Sequence, residues 1–272
     1  MVSAINKKIK GTALRAFPGL ALQFFSIRSR RTIESRARQL GLDRLARQVA
    51  RATGSAVAAG PFARMILDYE CFPVHASPKF LGTYEQELHK VIERAIQLRP
   101  KYVLNVGCAE GFYAVGLAIR LSDAQVFAAD ADRKALSATM KNAQLNGVSD
   151  RVYPVGIVKP HQLDRYLKTD GSLVVMDCEG AEFSLLDPAN DPILLRSNIV
   201  VEIHGEFGDV HEIIQKFACT HNIIEINPSV RAAPDILIGP ISGVDLLSAA
   251  EEWRGLQSWL FLEVKPGERS KC

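Results

Sequence analysis

Between residues 83 and 264, apolar runs of five to eight residues alternate with helix-patterned stretches, and no other feature of the chain narrows its fold as much. The runs are 102–106, 125–130, 151–158, 172–177, 198–204, 222–226 and 258–264; helical patterns fill 83–98, 111–121, 132–145, 161–168, 180–187 and 208–220. Strands such as SLVVMD and NIVVEIH are apolar until their last residues, the mark of strands buried on both faces. Strand–helix alternation of this kind predicts an α/β fold: a seven-stranded, mostly parallel sheet with helices on both faces. Ligands of such sheets lie beyond the carboxyl ends of the strands, where strand order reverses.

The first strand runs into a turn at that end, YVLNVGCAEGFYA, with Gly107 and Gly111 four apart. Two glycines there let the backbone approach a ligand beside a helix N-terminus. The spacing is GxxxG, not the GxGxxG of a dinucleotide site. The second strand ends in Asp130 and Ala131, where an acid accepts the hydroxyls of a ribose. Gly107, Cys108, Gly111, Asp130 and Ala131 therefore form a candidate nucleoside site. Asp177, Glu179 and His204 fall at the ends of the next two inner strands, and His204, with an ordinary pKa of about 6.5, reads as a general base. Asp177 and Glu179 also suit the start of the following helix as caps, and Glu182 reads as a solvated or helix-pairing acid. Nothing positive supports a metal, and neither Cys108 nor Cys178 has an adjacent histidine to mark it as a nucleophile.

Four stretches carry a family resemblance: VLNVGCAEGFYAVGLA (103–118), VFAADAD (126–132), KNAQLNGVSDRV (141–152) and LVVMDCEGAEFSLL (173–186). They resemble the class I S-adenosylmethionine-dependent methyltransferases, with their Rossmann-like sheet, and more narrowly the FkbM family, of which DxEGxE before an apolar helix is a hallmark. The resemblance implies S-adenosylmethionine as cofactor and methyl transfer, usually to a hydroxyl, with a small molecule or saccharide as acceptor. It also implies cofactor roles for Glu85 in GTYEQE and for Asn105 before the glycine turn. Family members carry Asp at the position of Asn105, which keeps the hydrogen-bonding shape without the charge. The alternatives are an RNA or protein N-methyltransferase, which usually shows Asn or Asp, two prolines and an aromatic where this chain reads MDCEGAE, and a catalytically silent nucleoside- or partner-binding module.

Charge is unevenly spread. Residues 1–51 hold twelve Lys or Arg against Glu34 and Asp43, a net +10, while the rest of the chain sums to −7. The expectation is a basic, largely helical extension over 1–80, with an amphipathic helical pattern over 26–52 and loops at 54–61 and 72–78, and a catalytic domain over 81–272. Such a segment suits an anionic partner, a membrane surface or RNA, or else docks on its own acidic domain. Five scattered cysteines without a CxxC pair fit a reducing compartment, and a cytoplasmic location, peripheral to a membrane at most, is expected.

Overall fold

In the computed structural model, residues 42–71, 76–205, 207–228, 249, 250, 252 and 258–266 are described. Seven strands, β1 Tyr102–Val106, β2 Gln125–Ala129, β3 Val152–Val155, β4 Leu173–Met176, β5 Asn198–Ile203, β6 His221–Ile226 and β7 Ser258–Val264, form one sheet in the order β3-β2-β1-β4-β5-β7-β6. The first five are parallel, and β7 runs antiparallel to both β5 and β6. Chain order reverses between β1 and β4, so the crevice for a ligand opens above their carboxyl ends.

Alternation along each inner strand divides two apolar layers. Val103, Val126, Val175, Val200 and Phe261 face one side, and Leu104, Val174, Met176, Val201 and Leu262 the other. The helices that cover them are α1 Leu42–Ala52, α2 Ala76–Leu81, α3 His89–Gln97, α4 Phe112–Arg120, α5 Arg133–Leu145, α6 Glu182–Leu185 and α7 Val210–Phe217. Asp132 starts α5 and Asp209 starts α7 by accepting the backbone N–H two residues on, from Lys134 at 2.8 Å and His211 at 2.9 Å. No helix among the described residues is long and apolar enough to cross a membrane.

Three local expectations shift. The pattern at 161–168 condenses to a 3₁₀ turn, Leu163–Arg165, and the start of 83–98 is 3₁₀ over Gln86–Leu88. Of the loop expected at 72–78, residues from Ala76 form α2, whose Pro78 sits in the first turn, where a missing N–H does no harm. Of the helical pattern at 26–52, residues up to 41 lie outside the described residues.

The apolar core runs across the expected boundary at residue 80. Ala46, Val49 and Ala50 of α1, with Val57, Phe62 and Met65, belong to the same core as Val103 and Val175. Asn146, at the end of α5, clamps this segment from the far side: its Oδ1 accepts from Ile66 N at 2.8 Å and its Nδ2 donates to Ile66 O at 2.7 Å.

Candidate active site

Gly107 and Gly111 both have positive φ, at +80° and +89°. The close approach they permit is to the protein itself. A Cβ on Gly107 would fall 1.6 Å from the carbonyl oxygen of Asp177, and one on Gly111 would fall 2.8 Å from Thr139 of α5. The first contact fixes the end of β1 against the end of β4, with Asp177 N donating to Val106 O at 2.9 Å. The glycine turn thereby holds one candidate half-site against the other.

Asp130 locks the turn from β2. Its Oδ2 accepts from Ala109 N at 3.0 Å and its Oδ1 from Asp132 N at 2.8 Å, while Gly107 N and Cys108 N both donate to Ala129 O. The carboxylate is thus held in one orientation at the mouth of the crevice, and Ala131 lies half-buried in the same turn. Asn105, 2% exposed, donates from Nδ2 to Val175 O at 3.2 Å and leaves its Oδ1 without a donor in the protein. A buried acceptor of this kind calls for a donor from a ligand or water. Glu85 is fully buried in a left-handed conformation, φ 46°, and accepts a hydrogen bond from the hydroxyl of Tyr113, two residues past Gly111. This brings Glu85 to the first turn of α4, beside the glycine turn. Burial pushes the Cys108 thiol far above its ordinary range, and its sulfur lies 3.4 Å from Thr139 Oγ1, so it is no nucleophile.

The structure brings Asp177, Glu179 and His204 together. His204 Nε2 lies 3.8 Å from Asp177 Oδ1, 3.8 Å from Glu179 Oε2 and 3.9 Å from Glu202 Oε2. Its Nδ1 lies 2.8 Å from Glu182 Oε1, which also accepts the His204 backbone N–H at 3.0 Å. Glu182 is fully buried, in place of the solvated acid expected, because the DCEG turn folds back over the sheet and α6 is only four residues long. Glu179 and Gly180 make that fold-back with successive positive φ, 56° and 105°, and a Cβ on Gly180 would strike the Phe207 ring. Glu182 also accepts from Gly180 N at 2.8 Å, which braces the turn it closes.

This setting changes the imidazole. Burial alone would lower its pKa, but the Glu182 hydrogen bond and the charges of Glu182, Asp177 and Glu179 outweigh it and raise the value to about 9. His204 is therefore cationic at neutral pH in this arrangement, unlike the neutral base the sequence leads one to expect. Burial, with the charges of Glu182 and Asp177, pushes the Cys178 thiol well up. Glu202 and Glu182 are the site residues that sequence reasoning passed over. The signal for Glu202 was a lone carboxylate inside a strand otherwise apolar on both faces, where it is 1% exposed.

A family model described as ribosomal protein L11 methyltransferase (PrmA) matches residues 88–174. The L11 methyltransferase of Acinetobacter baylyi is 30% identical over 132 residues, 46% of this chain and 42% of that protein. That of Acinetobacter baumannii strain SDF is 41% identical over 129 residues, 43% of this chain and 41% of that protein. The chain thus spans about two-fifths of the length of these relatives. A protein of Pyrobaculum calidifontis named "Probable cobalt-precorrin-6B C(15)-methyltransferase (decarboxylating)" is 32% identical over 143 residues, 48% of this chain and 73% of its own length. Among solved structures, a precorrin-6y C5,15-methyltransferase from Geobacter metallireducens overlays with a TM-score of 0.44 at 12% identity, over 65% of this chain and 89% of that one. The strand order with its antiparallel β7, the locked glycine turn, the acid closing β2 and a relative matched over most of its length agree on one assignment. The chain belongs to the class I S-adenosylmethionine-dependent methyltransferases.

Proposed function

We propose that this protein transfers the methyl group of S-adenosylmethionine to a nucleophile held above the ends of β4 and β5. The observation that carries the reading is the packing of Gly107 on Asp177, which sets the nucleoside turn against the Asp177, Glu179 and His204 cluster. Asp130 would hold the ribose, and the unpartnered Asn105 Oδ1 and the carboxylate of Glu85 would meet the amino end of the cofactor. In the transfer, a lone pair of the acceptor attacks the methyl carbon and the C–S bond breaks toward sulfur. S-adenosylhomocysteine leaves, and the acceptor's proton passes to a carboxylate of the cluster, Asp177 or Glu179, which the His204 imidazolium orients. Holding the reactants in line supplies the larger part of the acceleration, up to about 7–11 kcal/mol.

Two acceptors compete, each on its own observation. The likeness to L11 methyltransferases favours a protein acceptor, and a ring of carboxylates suits a cationic side chain on it. The narrower FkbM resemblance, carried by DCEGAE, favours a hydroxyl; the matched family model stops at residue 174, before this motif begins. The test is calorimetric titration with S-adenosylmethionine, followed by transfer of a radiolabelled methyl to ribosomal protein L11 and, in parallel, to a panel of saccharides. His204→Ala, which removes the cation that orients Asp177 and Glu179, should lower turnover 10²-fold or more while leaving cofactor affinity within a few-fold. Failure of the wild-type chain to bind S-adenosylmethionine at millimolar concentration would leave only a silent module.

A further inference from the structure

We propose that Asp177, Glu202 and His204 form a binding site for one divalent metal ion of the Mn²⁺ type. One carboxylate oxygen from each acid and one ring nitrogen of His204 all lie within 4.8 Å of one another. Metal–ligand bonds of about 2.0–2.2 Å span donors up to about 4.4 Å apart across a single ion, so small side-chain rotations bring all three onto one ion. The two Nε2 distances, 3.8 Å to Asp177 and 3.9 Å to Glu202, already fall inside that span.

The imidazole is positioned as a ligand and gives up its Nε2 proton when the ion binds. Its Nδ1 is engaged by Glu182 at 2.8 Å, and the same carboxylate oxygen holds the His204 backbone N–H at 3.0 Å, which directs Nε2 toward the two acids. A carboxylate on the far ring nitrogen of a ligating histidine is the usual outer support of a metal site. Two hard oxygens with one imidazole suit Mn²⁺ or Fe²⁺ better than Ca²⁺, which takes oxygen alone, or a structural Zn²⁺, which takes four protein ligands.

The ligand positions follow from the sheet. Asp177 and Glu202 extend the rung above Met176 and Val201, where β4 and β5 lie side by side, and Glu202 stands directly opposite Trp259 on β7. The Trp259 indole N–H on that face is fully buried and has no partner in the protein. Asn105, whose Oδ1 is also unpartnered, is the rung-mate of Val175, two residues before Asp177. Four adjacent strands thus carry polar groups on one face of the sheet, and two of those groups lack protein partners. A donor left open across from Glu202 fits an oxygen-bearing molecule bound beside the ion.

The inference does not depend on the acceptor, but it bears on it. An ion here would bind and polarise an acceptor hydroxyl and repel an ammonium.

The test is titration of the full chain with MnCl₂ alone, read by calorimetry and by the loss of the free Mn²⁺ signal in electron paramagnetic resonance. One ion per chain is expected. Asp177→Asn, whose side chain is 30% exposed and whose backbone contacts are kept, should weaken Mn²⁺ at least tenfold, as should Glu202→Gln. Glu182→Gln, a positioning change, should weaken it 10- to 100-fold without altering stoichiometry. If Glu202→Gln fails to fold, Asp177→Asn carries the test. No saturable Mn²⁺ binding up to millimolar concentration, or equal binding by wild type and Asp177→Asn, overturns the proposal. S-adenosylmethionine binding measured without Mn²⁺ reports separately on the transferase reading.

Discussion

Replacing Gly107 by alanine tests whether the glycine turn exists to seat Asp177. An alanine there would keep φ near +80°, which costs an L-residue about 1–2 kcal/mol. Its Cβ would also sit 1.6 Å from the Asp177 carbonyl oxygen, well inside the 3.0 Å below which something must shift, and the neighbour is backbone that cannot rotate away. Overpacking of this kind adds about 1–3 kcal/mol. The total, roughly 2–5 kcal/mol, is a large share of the 5–15 kcal/mol typical of a folded domain. Gly147 is the matched control, since its φ is +67° and nothing lies within 4 Å of its Cβ position, so Gly147→Ala keeps only the backbone penalty. In urea unfolding the two variants should differ by about 1–3 kcal/mol at similar m-values. Gly107→Ala should also disturb any ligand bound through Asp177. Equal midpoints for the two variants would refute the reasoning.

Asp130→Asn should weaken S-adenosylmethionine more than tenfold by calorimetry, since a hydrogen bond to a charged group is worth about 1.5–3 kcal/mol. Asp130→Ala should in addition lower stability, because both carboxylate oxygens hold backbone N–H groups of the two turns. Glu182→Ala removes the buried partner of His204 and should cost about 3–5 kcal/mol in denaturant unfolding; an unchanged midpoint would show that the pair contributes nothing. Deleting residues 1–41, which carry nine of the basic residues against Glu34, should leave S-adenosylmethionine binding intact and abolish any salt-sensitive binding to anionic vesicles. Deleting through Ala52 should lower the melting temperature, because Val49 alone, fully buried, contributes about 1.5–3 kcal/mol.

The sheet was legible because its information is local. All seven strands fall where an apolar run was bounded by turn residues, and β1 and β7 match their runs residue for residue. The packing of the N-terminal segment was not legible, for the opposite reason. Ala46, Val49 and Ala50 form a narrow apolar stripe that any exposed amphipathic helix could show, and what decides its burial is the surface offered by α2 and the loop around Phe62. Asn146 illustrates the same limit. Its position at the end of a helix explains an asparagine completely, yet the structure uses it a second time to grip Ile66, 80 residues earlier.

The site divides along the same line. Gly107, Gly111 and Asp130 lie within one strand–turn–helix unit and the strand beside it, so spacing alone places them together. The protonation of His204 depends instead on acids from another turn of the chain, Glu182 being 22 residues away, and no histidine in a sequence carries that information with it. Glu182 was readable only as one acid in a short motif. Its function appears once the positive φ at Glu179 and Gly180 turns the chain back and sets its carboxylate under the end of β5. The left-handed conformation of Glu179 is unfavourable for a residue with a Cβ, and it persists because Gly180 completes the turn and Glu182 ties its backbone from within. Strain held at that point keeps two acids, Glu179 and Glu182, on opposite sides of one imidazole. That arrangement leaves Nε2 directed at Asp177 and Glu202, at the ends of β4 and β5.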